Sequence, residues 1–215
     1  MCASHGFHFQ LASPLTSTGD YTAGMSEDSE CWRVWHQAAI IEPVHGAIAA
    51  IYADLDREIA ARSPTCWISG RCCHFEAFGH RLYVTGLEIA WFLAKLDVAG
   101  GGAAGVSSAA PSQRSNAESP LLNWQTRLQP AGLCPFQVSK LCGVHAVRPL
   151  GCRIFFCQEG TDVWQHELYE QFLSRLRRLH DEQGLPYQYM EWRMGLAEAA
   201  RALPEKCART SRPSG

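Results

Sequence analysis

A helical pattern runs through the first half of the chain. Val34, Ala38, Ile41, His45, Ile48, Tyr52, Leu55 and Ile59 recur every three or four residues, the spacing of one helix face. Pro43 interrupts this pattern, so the segment reads as two helices or as one that restarts with Pro43 in its first turn. Ser63-Pro64 ends it. The run Arg81 to Thr85 reads as a short strand, and Thr85 and Glu88 stand at capping-box spacing. They announce a helix from Leu87 to Leu96 that carries Ile89, Trp91, Phe92 and Leu93. Further on, Asp162 is placed to cap a helix bearing Trp164, Leu168, Phe172, Leu176 and Leu179, with Gly184 and Pro186 as its stop. A last helix, about Tyr189 to Leu203, presents Met190, Met194, Ala197 and Ala200 on one face. The aromatic residues Trp35, Trp91, Phe92, Trp164, Phe172 and Trp192 fall at helical spacings and read as core.

Between these elements the chain changes character. Residues 1–30, rich in Ser, Thr, Gly and Asp, have no periodicity and read as a flexible tail, as do residues 205–215. Residues 99–120 are low in complexity and nearly free of large apolar side chains. Such a segment cannot bury enough surface to offset its ordering entropy, so it reads as a disordered insertion. Cysteines on both sides of it belong to one pattern, so residues 31–204 are expected to form a single domain. The expected fold class is α+β, mainly α, with helices packed around cysteine-bearing loops and a small β-hairpin, centred on a metal.

Composition narrows the chemistry. The 215 residues are 47% hydrophobic and 19% charged, which suits a globular chain. A formal net charge of -2 makes no electrostatic case for nucleic acid or an anionic membrane surface. No segment approaches the roughly 20 apolar residues of a membrane span, and Met1 to Asp20 shows neither a basic start nor an apolar run of signal length. A cytoplasmic protein is therefore expected. In that setting the ten cysteines are better suited to metal binding or redox chemistry than to a disulfide framework.

Seven cysteines lie between positions 66 and 157: Cys66, Cys72, Cys73, Cys134, Cys142, Cys152 and Cys157. Thiolate is a strong soft ligand for zinc and for iron–sulfur clusters. These seven are the candidate metal ligands, and His74 and His145 are candidate extras. The absence of any C-x-x-C pair disfavours zinc ribbons, RING-like modules and thioredoxin-type redox motifs. Arg71, Arg148 and Arg153 flank the cysteines and are placed to offset thiolate charge. Cys2, Cys31 and Cys207 lie apart and read as incidental free thiols. No Walker loop, dinucleotide glycine fingerprint, H-E-x-x-H or serine nucleophile elbow is present.

The stretch from Cys134-Pro-Phe through Cys142-Gly-Val-His145-Ala-Val-Arg148-Pro149-Leu-Gly-Cys152-Arg153-Ile-Phe-Phe-Cys157 resembles the second half of the zinc- or iron-chelating CxxCxxCC domain, the YkgJ-type cysteine-cluster family. Val84-Thr85-Gly86-Leu87-Glu88 resembles that family's strand-to-helix step, and the likeness covers about residues 64–160. The first half departs from the pattern, because Ser69 stands where a second cysteine is expected between Cys66 and Cys72. The resemblance implies a metal ion as partner, held as an iron–sulfur cluster or as iron, with a redox role open to it, or alternatively zinc in a structural or delivery role. Relatives that methylate flagellin lysines imply a third alternative, an accessory or catalytic domain of a methyltransferase-like enzyme.

Overall fold

The computed structural model describes residues 27–67, 69–101, 124–128 and 132–203. It is mainly helical, with two small two-stranded sheets. The helices are α1 (Glu27–Ile40), α2 (Val44–Arg62), α3 (Gly86–Gly101), α4 (Leu150–Ile154), α5 (Asp162–Glu182) and α6 (Trp192–Ala202). The strands are β1 (Tyr83–Thr85), β2 (Gln137–Val138), β3 (Leu141–Cys142) and β4 (Tyr189–Glu191). Strand β1 pairs antiparallel with β4, and β2 with β3.

Pro43 separates the first helical pattern into two helices bent 74° apart. The Glu42–Pro43 peptide is cis. Ser63 closes α2 in the left-handed region, its N–H donating to the carbonyls of Ile59 and Ala60. Helix α1 packs on α3, α2 and α4 on α5, and α6 on α3. The core holds Trp32, Trp35, Phe92, Phe136, Phe172 and Trp192, all but excluded from solvent. Phe92 meets Phe136 and Trp192 edge-on, with ring centroids 4.8 and 5.0 Å apart. Gly86, at the β1–α3 step, sits so close to the Trp35 ring that any side chain there would overlap it. Among the described residues no single helix is long and apolar enough to cross a membrane.

Several boundaries differ from the sequence reading. Helix α1 starts at Glu27, inside the stretch assigned to the N-terminal tail, because Trp32 and Trp35 give its buried face a core to join. Helix α3 continues to Gly101, past the start of the expected insertion; residues 102–120 lie outside the described residues, as do the two expected tails apart from residues 27–30. Thr161, not Asp162, is the cap position of α5, and its hydroxyl donates to the Gln158 carbonyl. The last helix begins three residues late because Tyr189–Glu191 extend to pair with β1. Its buried side is Trp192, Leu196 and Ala199, while Met194 is 61% exposed and does not pack. The expected hairpin is present as β2–β3; the β1–β4 pairing joins segments more than a hundred residues apart, which local pattern does not reveal.

The capping box is present, and it reaches further than capping. Glu88 is 1% exposed. Its Oε2 accepts from the Thr85 N–H (2.9 Å) and the Thr85 hydroxyl (3.2 Å), and Thr85 Oγ1 accepts in turn from the Glu88 N–H. Its Oε1 accepts from the Tyr52 hydroxyl on α2 (2.8 Å) and from the Leu150 N–H (3.1 Å), the first residue of α4. One carboxylate thus holds together the start of α3, the side of α2 and the start of the helix that carries Cys152. Burial pushes its pKa up, and the four donors work against that shift. Replacing it by alanine strands these donors in the core. Glu88→Ala is expected to lower stability by about 3 kcal/mol in chemical denaturation; a loss below about 1 kcal/mol would mean the carboxylate is not a tie between these elements.

Candidate metal centre

Three separate segments bring cysteines to one place. The first is the loop after α2. Gly70 adopts φ +70, a left-handed position beside the Lys140 carbonyl that only glycine fills without strain, and it opens a single 3-10 turn at Arg71–Cys73. The second is the β2–β3 hairpin with its approach. Its two-residue turn, Ser139-Lys140, has both φ angles positive (50 and 67), the geometry of a tight hairpin turn. The two segments are tied by the Cys134 N–H donating to the Cys73 carbonyl (2.8 Å), by the His74–Leu133 bridge and by the Gln137 amide donating to the Gly70 carbonyl (3.2 Å). The third is α4, which Pro149 starts and which presents Cys152.

Five sulfurs meet there: Cys72, Cys73, Cys134, Cys142 and Cys152. The Cys72 and Cys73 sulfurs lie 3.9 Å apart. Cys73 also bears on the sulfurs of Cys134 and Cys142 without reaching full hydrogen-bond geometry. Its own pKa is raised because it serves as the proton donor to Cys134, Cys142 and Cys72. The same proton holds Cys72 down to about 6 and Cys142 to about 7, and lowers Cys134. A single S–H donates to one sulfur at a time, so these four groups lose protons as a set. Cys152 is pushed well up, first by burial and then by the neighbouring sulfurs of Cys134 and Cys142.

Little positive charge answers this set. The Arg148 cation favours the thiolates of Cys72, Cys142 and Cys152, and its Nε is buried without a hydrogen-bond partner. The Trp192 indole N–H is buried too, approaches the Cys134 sulfur closely enough to favour its thiolate, and makes no bond of normal geometry. Arg153 is a structural cation. It pairs with Asp56 (2.7 and 3.0 Å), donates to the carbonyls of Arg148 and Ala146, and lies 4.5 Å from the centre of the Tyr52 ring. Arg71 stands over Phe78 and is exposed. Of the three candidate arginines, Arg148 alone is shown acting on the sulfurs.

The other expected ligands are placed differently. Cys157 faces Ser69, its sulfur 3.5 Å from the hydroxyl, and Cys66 is exposed on the same loop as Ser69. The Thr65 N–H donates to the Gln158 side chain (2.8 Å), which fastens this outer edge together. Ser69, which stands where the motif that this stretch resembles has a cysteine, is the residue that faces Cys157. His74 is engaged in the bridge to Leu133, with its ring against Phe78. His145 opens a 3-10 turn, its charged form disfavoured by partial desolvation of the ring and then by Arg148 and Arg153. Cys31 departs from the reading as a loose free thiol: it is buried on α1 and disulfide-bonded. Cys2 and Cys207 lie outside the described residues. His80, which sequence reasoning did not single out, is near the centre, with its Nε2 3.5 Å from the Cys72 carbonyl and its ring stacked on Phe155.

As the side chains stand, no group of three or more His, Cys, Asp or Glu among the described residues has metal-holding geometry. The Cys72 and Cys73 sulfurs stand at thiol–thiol hydrogen-bond distance instead. Even so, the donor set suits a thiophilic ion. Two thiolates at about 2.3 Å from a tetrahedral ion stand roughly 3.8 Å apart, close to the Cys72–Cys73 separation. Two buried N–H donors without partners point to sulfur ligands that carry charge.

Comparison with models of known families, with curated proteins and with solved structures finds no match to this chain. The likeness to the cysteine-cluster family rests on the motif residues alone.

In metal-free protein, iodoacetamide should label Cys72 ahead of Cys73 and Cys152. Labelling should set in well below the ordinary thiol range, since a lowered pKa means thiolate appears at lower pH, and its midpoint belongs to the coupled set of sulfurs. A midpoint near the ordinary thiol value of about 8.5 would show that Cys73 does not donate to it.

Proposed function

We propose that this protein binds iron or zinc through Cys72, Cys73, Cys134, Cys142 and Cys152, with Cys66 and Cys157 outside the first set of ligands. The observation that carries this reading is the meeting of five sulfurs from three segments around one cation, Arg148. Four thiolates without a metal would place a charge near -4 beside a single guanidinium. A divalent ion brings that to about -2, within reach of Arg148 and the Trp192 N–H. Proton loss and metal gain are then two sides of one event.

Iron, as an iron–sulfur cluster or a single ion, fits the all-sulfur donor set and would allow a redox role. A single tetrahedral ion, zinc included, is favoured by the 3.9 Å Cys72–Cys73 spacing, because a cluster spreads its ligands over several metal atoms. No described residue favours methyl transfer.

Protein purified without oxygen should carry one equivalent of metal or one cluster. Brown colour with acid-labile sulfide indicates the cluster, and a colourless protein with stoichiometric zinc indicates the single ion. Cys152→Ser and Cys142→Ser should lose most of the metal, whereas Cys66→Ser and Cys157→Ser should keep it. Full loading in Cys142→Ser together with Cys152→Ser, or protein that takes up neither metal when reduced, would overturn the reading.

A further inference from the structure

The candidate centre has one open side. A cavity of about 370 Å³ is lined at one end by Cys72 and Cys152 and walled by the loop before β1, by β1 itself, and by α4, α5 and β4. That volume lies at the lower end of small-molecule sites, roughly 300–1,000 Å³. Its walls are dominated by rings. His80 stacks on Phe155 (centroids 5.2 Å, planes 16° apart) and Tyr83 on Tyr189 (5.6 Å, 23°). Leu82 and Ile154 add apolar surface.

The polar groups on these walls are mostly engaged already. The Gln165 amide is held by the backbone N–H and carbonyl of Phe156, and the Tyr169 and Tyr189 hydroxyls bond each other. Arg81 and His166, on the same cavity, are exposed and have no hydrogen bond or ion pair among the described residues, and of the two Arg81 carries the permanent charge. A cavity with aromatic walls and one unengaged guanidinium selects for a flat ring and one negative charge.

We propose that this cleft binds a small aromatic carboxylate. The ring lies against the stacked side chains, the carboxylate meets Arg81, and the inner edge ends at Cys72 and Cys152. An aliphatic acid satisfies the cation but not the walls, and a neutral aromatic satisfies the walls but not the cation. The inference rests on the proposed metal centre only for what lies at the inner edge; binding itself requires no metal.

The test is an NMR titration of the full chain, reduced and anaerobic, in metal-free and as-purified forms. Benzoate is the probe, with cyclohexanecarboxylate and benzamide for comparison. Benzoate should bind saturably to both forms, and each comparison compound about tenfold more weakly, the loss expected of one charge-assisted contact or one stacked face. Arg81→Gln should bring benzoate down to the level of benzamide and leave benzamide unchanged. Phe155→Ala should weaken both aromatic compounds. Absence of saturable binding in both forms, equal binding of all three compounds, or no effect of Arg81→Gln would overturn the proposal. Benzoate binding by a protein that retains no metal would support the cleft while removing the centre, so the two failures are distinguishable.

Discussion

A carboxylate at the centre of a protein is stable only where donors surround it, and Glu88 draws its donors from three parts of the chain. Thr85 supplies the local pair that starts α3, Tyr52 brings in α2, and the Leu150 amide brings in α4. Arg153 strengthens the same junction from the other side, over the Tyr52 ring and paired with Asp56 on α2. The helix that carries Cys152 is therefore positioned by polar contacts to the scaffold rather than by its own length, which at five residues is too short to hold a helix alone. The cysteine centre inherits its geometry from this junction.

The centre itself presents the opposite problem, too much negative charge and too few donors. Cys72, Cys134 and Cys142 are favoured as thiolates through the Cys73 proton, and Arg148 is the cation that answers them. The hairpin β2–β3 and the loop at Gly70 contribute little apolar burial of their own and are held by a few backbone bonds. A bound ion would supply both missing terms at once, neutralising the sulfurs and tying the three segments. Metal binding and local folding are expected to be coupled for that reason. The aromatic cleft beside Cys72 and Cys152 would give such a centre a way to meet a small molecule.

Much of this was legible in the residue pattern. Helices α2, α3 and α5 follow their apolar spacing, whereas α6 buries a different face from the expected one, and the capping box at Thr85 and Glu88 is visible as a three-residue interval. The seven clustered cysteines stand out as one group in the sequence. What pattern could not show is how they divide. Cys157 is only five residues from Cys152, yet it faces Ser69 while Cys152 joins the inner set, because α4 ends between them and the chain leaves it extended. The roles of Arg148, just before α4, and Arg153, in its last turn, likewise depend on which way each side chain leaves the backbone. The β1–β4 pairing, the Tyr52–Glu88 bond and the His80 position are long-range, and no local spacing encodes them.

The central claim is that the inner cysteines form an all-sulfur metal site. X-ray absorption at the metal edge of anaerobically purified protein addresses it directly. The account predicts a first shell of sulfur alone, about four scatterers near 2.3 Å for a single ion. A first shell dominated by nitrogen or oxygen at about 2.0–2.2 Å would contradict it.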